Sequence, residues 1–206
     1  MVDGSIVEKL KDLIDERRLN HSIGVSRCAA KLALHYGADV EKAELAGLVH
    51  DCAKGLSPEE AIQLGRKYGY EPDTITRMNP ALIHAPLGSF LAQELFNIQD
   101  PEILDAIACH TTGKSNMSLM DKIICLADFI EEGRCFKEVE KIRELAFLDI
   151  NRALLTGMDL SIKYVLERGR LLHPATVEAR NALLLEIGDM DSTEIKASLK
   201  KPNSHK

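Results

Sequence analysis

Two stretches of this chain are apolar at almost every position, and each is interrupted by a carboxylate. The first is Ala43-Glu44-Leu45-Ala46-Gly47-Leu48-Val49-His50-Asp51-Cys52-Ala53 and the second Ile123-Ile124-Cys125-Leu126-Ala127-Asp128-Phe129-Ile130. Segments with so little polar face are central helices of a core, packed on nearly every side. A carboxylate brought there without a partner costs several kcal/mol. Asp51 and Asp128 therefore need positive charge to meet them, and the fold must gather helices around a buried polar centre.

The rest of the sequence fits an all-α domain. Tryptophan is absent, aromatics are 4%, and alternating Val/Ile/Thr runs are missing, while Leu, Ala, Ile, Glu and Lys recur at helical spacing. Ile6, Val7, Leu10, Leu13 and Ile14 form one apolar face, predicting a first helix that ends near Arg17. A second is expected from His21 to His35, stopped by Gly37, and a third from Val40 behind Asp39 as N-cap. Ser57-Pro58-Glu59-Glu60 is a capping box that starts a fourth. Further helices are expected over Pro80 to Leu95, Pro101 to His110 behind Asp100, and Ser118 to Glu131. A long amphipathic stretch through Val139, Ile142, Ala146, Ile150 and Ala153 continues from Leu160 to Arg168 before Gly169 breaks it. The last helix follows Leu171-Leu172-His173-Pro174 and stops near Gly188. Residues 189–206 are polar with a basic end and predict a frayed tail, leaving 1–188 as one domain without internal repeats.

A net charge of −6 opposes a generally basic nucleic-acid binder. The N-terminus lacks a charged segment followed by an apolar one, and no run approaches the roughly 20 apolar residues of a membrane span, so a soluble cytoplasmic protein is expected. Cys28, Cys52, Cys109, Cys125 and Cys135 form no C-x-x-C pair and mostly lie in apolar stretches, which reads as reduced core thiols without catalytic or ligand chemistry.

Three more histidines stand beside apolar residues: His21, His84 in Leu82-Ile83-His84-Ala85-Pro86, and His110 closing Ile107-Ala108-Cys109-His110. Taken singly, each histidine reads as a hydrogen-bonded core residue more readily than as a ligand, and Asp128 could pair with Arg134. Taken together, four histidines and two aspartates at apolar positions favour a site for a borderline divalent metal such as iron, manganese or zinc.

The order His21, His50-Asp51, His84, His110, Asp128 resembles the HD-domain metal-dependent phosphohydrolases. Ala46 to Lys54, His110-Thr111-Thr112-Gly113, Leu126 to Glu131 and His173-Pro174-Ala175-Thr176-Val177-Glu178-Ala179-Arg180-Asn181 are more specific, and look like the bacterial YqeK family of symmetrical diadenosine tetraphosphate hydrolases. The likeness runs from Arg18 to Asn181 and implies a helical HD bundle. It implies that His21, His50, Asp51 and Asp128 hold iron, as Fe2+ before Mn2+ or Zn2+. His84 and His110 would hold a second metal or face the phosphates.

The resemblance further implies catalytic roles for Asp51, Lys54, His84 and His110. A metal lowers the pKa of its water, and a second metal or a protonated histidine assists the leaving phosphate. Substrate would touch these residues and His21, Cys52, Ala53, Thr111, Asp128 and Arg134. Arg170 would contact phosphate, and Leu171, Leu172, His173, Pro174 and Ala175 would form the nucleotide pocket. Read as residues alone, Thr111 and Thr112 bond phosphate or cap a helix, Lys114 is a solvent-facing loop charge, and His173-Pro174 is a helix-start turn.

The implied partners are a dinucleoside polyphosphate and a nucleoside diphosphate, with neither nucleic acid nor membrane. The apolar faces of the later helices leave packing within the chain and across a homodimer both open. Two rival functions stay open at this point: another HD nucleotidase or phosphodiesterase, and a metal- and nucleotide-binding sensor without catalysis.

Overall fold

The computed structural model describes residues 4–188, in which eleven α-helices and one 3-10 turn occur without a strand. The tail expected over 189–206 lies outside the described residues. The helices are α1 (Gly4–Leu13), α2 (Glu16–Tyr36), α3 (Val40–Val49), α4 (Pro58–Lys67), α5 (Thr74–Met78), α6 (His84–Phe96), α7 (Pro101–Cys109), α8 (Leu119–Ile130), α9 (Val139–Ala146), α10 (Ile150–Glu167) and α11 (Pro174–Ile187). No helix among the described residues is long and apolar enough to cross a membrane.

The two apolar stretches lie at the centre, as their composition demands. Helix α2 packs on α3 and α8, α7 joins α3 and α8 to α6, and α10 closes the other side against α8, α9 and α11. Leu32, Leu48, Ile107, Ile123, Ile124 and Leu126 are fully buried where these helices meet, each contributing roughly 1.5–3 kcal/mol. At the α2–α3 crossing, a Cβ on Gly47 would sit 2.9 Å from Ser26 Cα. Only glycine permits that approach, which the Ser26 hydroxyl secures by donating to the Glu44 carbonyl at 2.7 Å.

The expected starts hold at four helices whose capping side chains are in place. Ser57 and Glu60 close a capping box on α4, Ser118 and Asp121 close another on α8, and Asp39 and Asp100 cap α3 and α7. Four boundaries differ. Asp15 accepts from the Arg18 N–H and caps α2 at Glu16, so the first helix stops at Leu13 instead of Arg17, and the second starts five residues before His21. Helix α3 ends at Val49, because Cys52 N–H bonds Val49 O and Lys54 N–H bonds Asp51 O in tight turns. The single helix expected from Pro80 becomes a 3-10 turn, Pro80–Leu82, followed by α6 at His84, and Asp73 caps the unexpected α5. Asp149 caps α10 and divides the long amphipathic stretch in two.

Candidate metal centre

These breaks deliver the polar side chains. His21 lies one turn beyond Arg18 on α2, His50 and His110 close α3 and α7, His84 opens α6, and Asp128 lies in the last turn of α8. Five helices thus point one residue or more at a common centre.

The imidazoles share one orientation. The Nδ1–H groups of His50, His84 and His110 each donate to the carbonyl three residues earlier, Gly47 at 2.7 Å, Ala81 at 2.6 Å and Ile107 at 2.7 Å. A carbonyl only accepts, so in the neutral ring Nδ1 holds the proton and Nε2 turns its lone pair inward. His21 does the same through Glu131, whose Oε1 lies 3.1 Å from Nδ1. Glu131 is buried, is held also by Gly133 N–H at 2.6 Å, and fills the space beside Gly24.

Asp51 is the hub. Its Oδ2 accepts from Arg18 at 2.8 Å, and its Oδ1 lies 3.1 Å from His84 Nε2, 3.4 Å from Lys54 Nζ, 3.6 Å from His110 Nε2 and 3.7 Å from His50 Nε2. Asp128 Oδ1 meets His21 Nε2 at 3.0 Å and the Arg134 guanidinium, which also donates to the Asp128 carbonyl at 2.7 Å. Burial opposes the anion of Asp51, yet His50, His110 and His84 hold its carboxyl well below the usual range. His21 and nearby cations do the same for Asp128. Burial lowers His50 to about 4 and lowers His84 as well. His21 is raised, because its bonds to Asp128 and Glu131 outweigh burial.

Anionic carboxylates beside imidazoles form the donor set a divalent cation needs. Two observations show that the residues fit one. His50 Nε2 is buried without a hydrogen-bond partner. The lone pairs of His84 and His110 face each other at 3.0 Å and both face Asp51, an arrangement that a cation or a shared proton relieves. Among the described residues, candidate ligand atoms gather in three overlapping groups, His21, His50, Asp51, then His50, His110, Asp128, then Asp51, His84, His110, so Asp51 belongs to two of the three.

The other residues singled out in the sequence divide into two groups. Lys54 Nζ stands 3.2 Å from His84 Nε2, and the Thr111 hydroxyl lies 3.3 Å from His84 Nε2 and 3.2 Å from His110 Nε2. Thr112 turns away to its neighbour's carbonyl, and Cys52 and Ala53 are buried behind Asp51. Lys114 is no free loop charge, since it pairs with buried Asp121 at 2.9 Å. Burial pushes the Cys52 thiol to about 12, and contact with Cys109 together with burial holds Cys125 protonated, so both behave as core residues. Cys135 is exposed, unlike the core thiols expected.

The segment Arg170 to Ala175 stands apart from the centre. His173 Nε2 meets Asp73 at 3.0 Å while its Nδ1 accepts from Ala175 N–H as the cap of α11, and Arg170 and Leu171 are exposed. Two participants were not singled out in the sequence: Arg18, the cation that meets Asp51, and Glu131, which orients His21. The signal for Arg18 is its place three residues before His21, on the same helical face.

Outside the centre lies a cavity of about 710 Å³ whose walls carry Arg17, Arg18, Arg27, Lys54 and Arg134 beside the carboxylates Asp15, Asp51, Glu131 and Glu132, a mixed lining in a chain that is acidic as a whole.

The HD domain family model matches residues 18–133. A symmetrical bis(5'-nucleosyl)-tetraphosphatase of Halalkalibacterium halodurans is 41% identical over 89% of this chain and 97% of the relative. Its namesake from Bacillus subtilis is 37% identical over 85% and 94%. A Clostridium acetobutylicum crystal structure, described as a predicted HD superfamily hydrolase involved in NAD metabolism, superimposes with a TM-score of 0.86 at 45% identity, covering 89% of this chain and 97% of that one. The chain belongs to the HD domain family and, within it, to the group of these symmetrical tetraphosphatases.

Proposed function

We propose that this HD-family member hydrolyses a symmetrical dinucleoside tetraphosphate, diadenosine tetraphosphate above all, to two nucleoside diphosphates. One observation supports it beyond the family relation. A buried cluster of four histidines and two aspartates opens into a cavity where four arginines and Lys54 outnumber the carboxylates, two of which, Asp51 and Glu131, belong to the cluster or hold it. That is the charge distribution for drawing a polyphosphate onto a metal centre.

The proposed ligands are His21, His50, Asp51 and Asp128, with iron as the metal, and His84 with His110 as a second position. When bound, such a metal supplies an activated water and neutralises phosphoryl charge. Water's oxygen bonds to a central phosphorus, and the bridging oxygen leaves with one nucleoside diphosphate. Lys54 and Arg134 stabilise charge on the phosphoryl oxygens. Arg18 and Lys54 pair with the Asp51 carboxylate, and where no second metal sits between them His84 and His110 share a proton that passes to the departing phosphate. Thr111 bonds a phosphoryl oxygen, and Arg170 with the Leu171 to Ala175 turn receives one nucleoside diphosphate. All these residues come from one chain, so a second copy is not required for the chemistry.

The test is anaerobic purification, quantification of bound iron, manganese and zinc, and product analysis with diadenosine tetraphosphate. ADP as sole product is expected. ATP with AMP would show that the central anhydride is not the one cleaved. Metal without turnover of any dinucleoside polyphosphate would overturn the substrate assignment.

A further inference from the structure

Arg134 lines two cavities. One is the arginine-bearing opening described above; the other, of about 460 Å³, lies between the end of α8, the chain from Glu131 to Glu138, and α10. Its walls differ in kind: Phe129, Phe136, Leu160 and Tyr164 supply apolar and aromatic surface, Glu138, Lys163 and Glu167 add charge, and Asp128 and Arg134 form the edge nearest the centre.

We propose that this second cavity is a nucleoside subsite, holding the base and ribose of one half of the tetraphosphate substrate. It rests on the reaction proposed above. A symmetrical substrate carries a nucleoside at each end of its phosphate chain, and the Leu171 to Ala175 turn accounts for only one. An aromatic cavity that adjoins the phosphate-facing cavity through Arg134 is where the other end belongs. Its volume lies in the range of small-ligand pockets, about 300–1,000 Å³.

The wall is built for a flat ring. A Cβ on Gly157 would lie 3.1 Å from the Phe129 ring, so glycine lets that ring rest against α10. Phe136 and Tyr164 are 37% and 50% exposed, two aromatic surfaces left uncovered at the cavity. The Arg168 guanidinium covers one face of Tyr164 at 4.3 Å and does not line the cavity, so the rest of the Tyr164 ring is free for a base. Glu138 heads α9, yet its side chain makes no capping bond. Its carboxylate can accept from ribose hydroxyls.

The experiment counts ADP bound per chain on the metal-loaded protein by equilibrium dialysis, for wild type, Tyr164→Ala, Phe136→Ala and Tyr164→Phe. Both residues are partly exposed, which keeps the variants folded. Two ADP are expected for wild type, with one weakened about five- to hundredfold in each alanine variant, the range a stacked base carries, and retained in Tyr164→Phe. A single ADP lost in Tyr164→Ala also supports the cavity and removes the turn instead. One or two ADP unaffected by either alanine variant overturns the subsite while leaving the reaction standing. No ADP bound at all overturns both.

Discussion

The centre between α2, α3, α6, α7 and α8 and the surface turn from Arg170 to Ala175 are held in opposite ways. At the centre, four imidazoles are fixed from behind by three carbonyls and a buried glutamate, and Asp51 is ringed by cations and imidazoles. At the turn, His173 has one cap bond and one contact to Asp73, and Leu171 is 48% exposed. Ionisable groups can be buried only if the fold specifies their partners. At the surface, water substitutes for any missing partner. Substitutions at the centre should therefore change charge state, metal and chemistry together, whereas substitutions at the turn should change affinity alone.

The largest effect tests the first half of that contrast. Asp51→Ala removes the anion shared by two of the three candidate ligand groups and strands Arg18. Bound metal and hydrolysis should disappear together, with turnover down by more than about a thousandfold. Metal analysis beside the assay checks it, and a variant with full metal content would refute Asp51 as a ligand.

Acid should expose the same centre in the metal-free protein. His50 falls from 6.5 to about 4 on folding and His84 is lowered too, so between pH 6.5 and 4 the unfolded chain binds protons that the fold excludes. The stability from His50 is complete above pH 6.5 and drains away toward pH 4, a loss of order 3 kcal/mol. His21 is raised, so its contribution is complete below pH 6.5 and fades as pH climbs through its folded value. Melting temperature should peak near pH 6.5, and a flat profile down to pH 4.5 would mean that His50 is not buried neutral.

A smaller effect should come from Glu131→Gln. The amide oxygen still accepts from His21 Nδ1 but no longer carries charge, so metal affinity should fall about tenfold and activity should recover with added metal. Failure to recover would give Glu131 a role beyond orienting His21.

The same contrast governs what was legible in the sequence. Asp51 and Asp128 announced themselves because carboxylates in apolar helices need compensation, and capping side chains such as Ser57 and Ser118 marked helix starts. The breaks within apolar runs were not legible. The end of α7 at His110 was expected, but His50 sits at a helix end because tertiary packing around the centre, not propensity, stops α3. Arg18 went unnoticed since an arginine near an N-terminus looks solvated until a helix places it one turn from a ligand. Asp73 gave no sign of reaching His173, because the two lie a hundred residues apart and meet at the surface.

That surface contact yields the smallest prediction. The His173 bond lowers the Asp73 carboxyl well below its usual range, helped by the Thr76 cap. If the turn only starts α11, His173→Ala should cost roughly 1 kcal/mol of stability through the lost cap and leave KM untouched. If it also receives a nucleoside diphosphate, as proposed, KM should rise about fivefold, equivalent to roughly 1 kcal/mol, with kcat unchanged. Asp73→Ser separates holding from touching, because serine can still cap α5 but is too short to reach His173. A KM rise shared by both variants places the turn under Asp73's control. A rise in His173→Ala alone makes His173 itself the contact. No rise in either returns the turn to the surface and leaves the aromatic cavity beside Arg134 as the nucleoside's place.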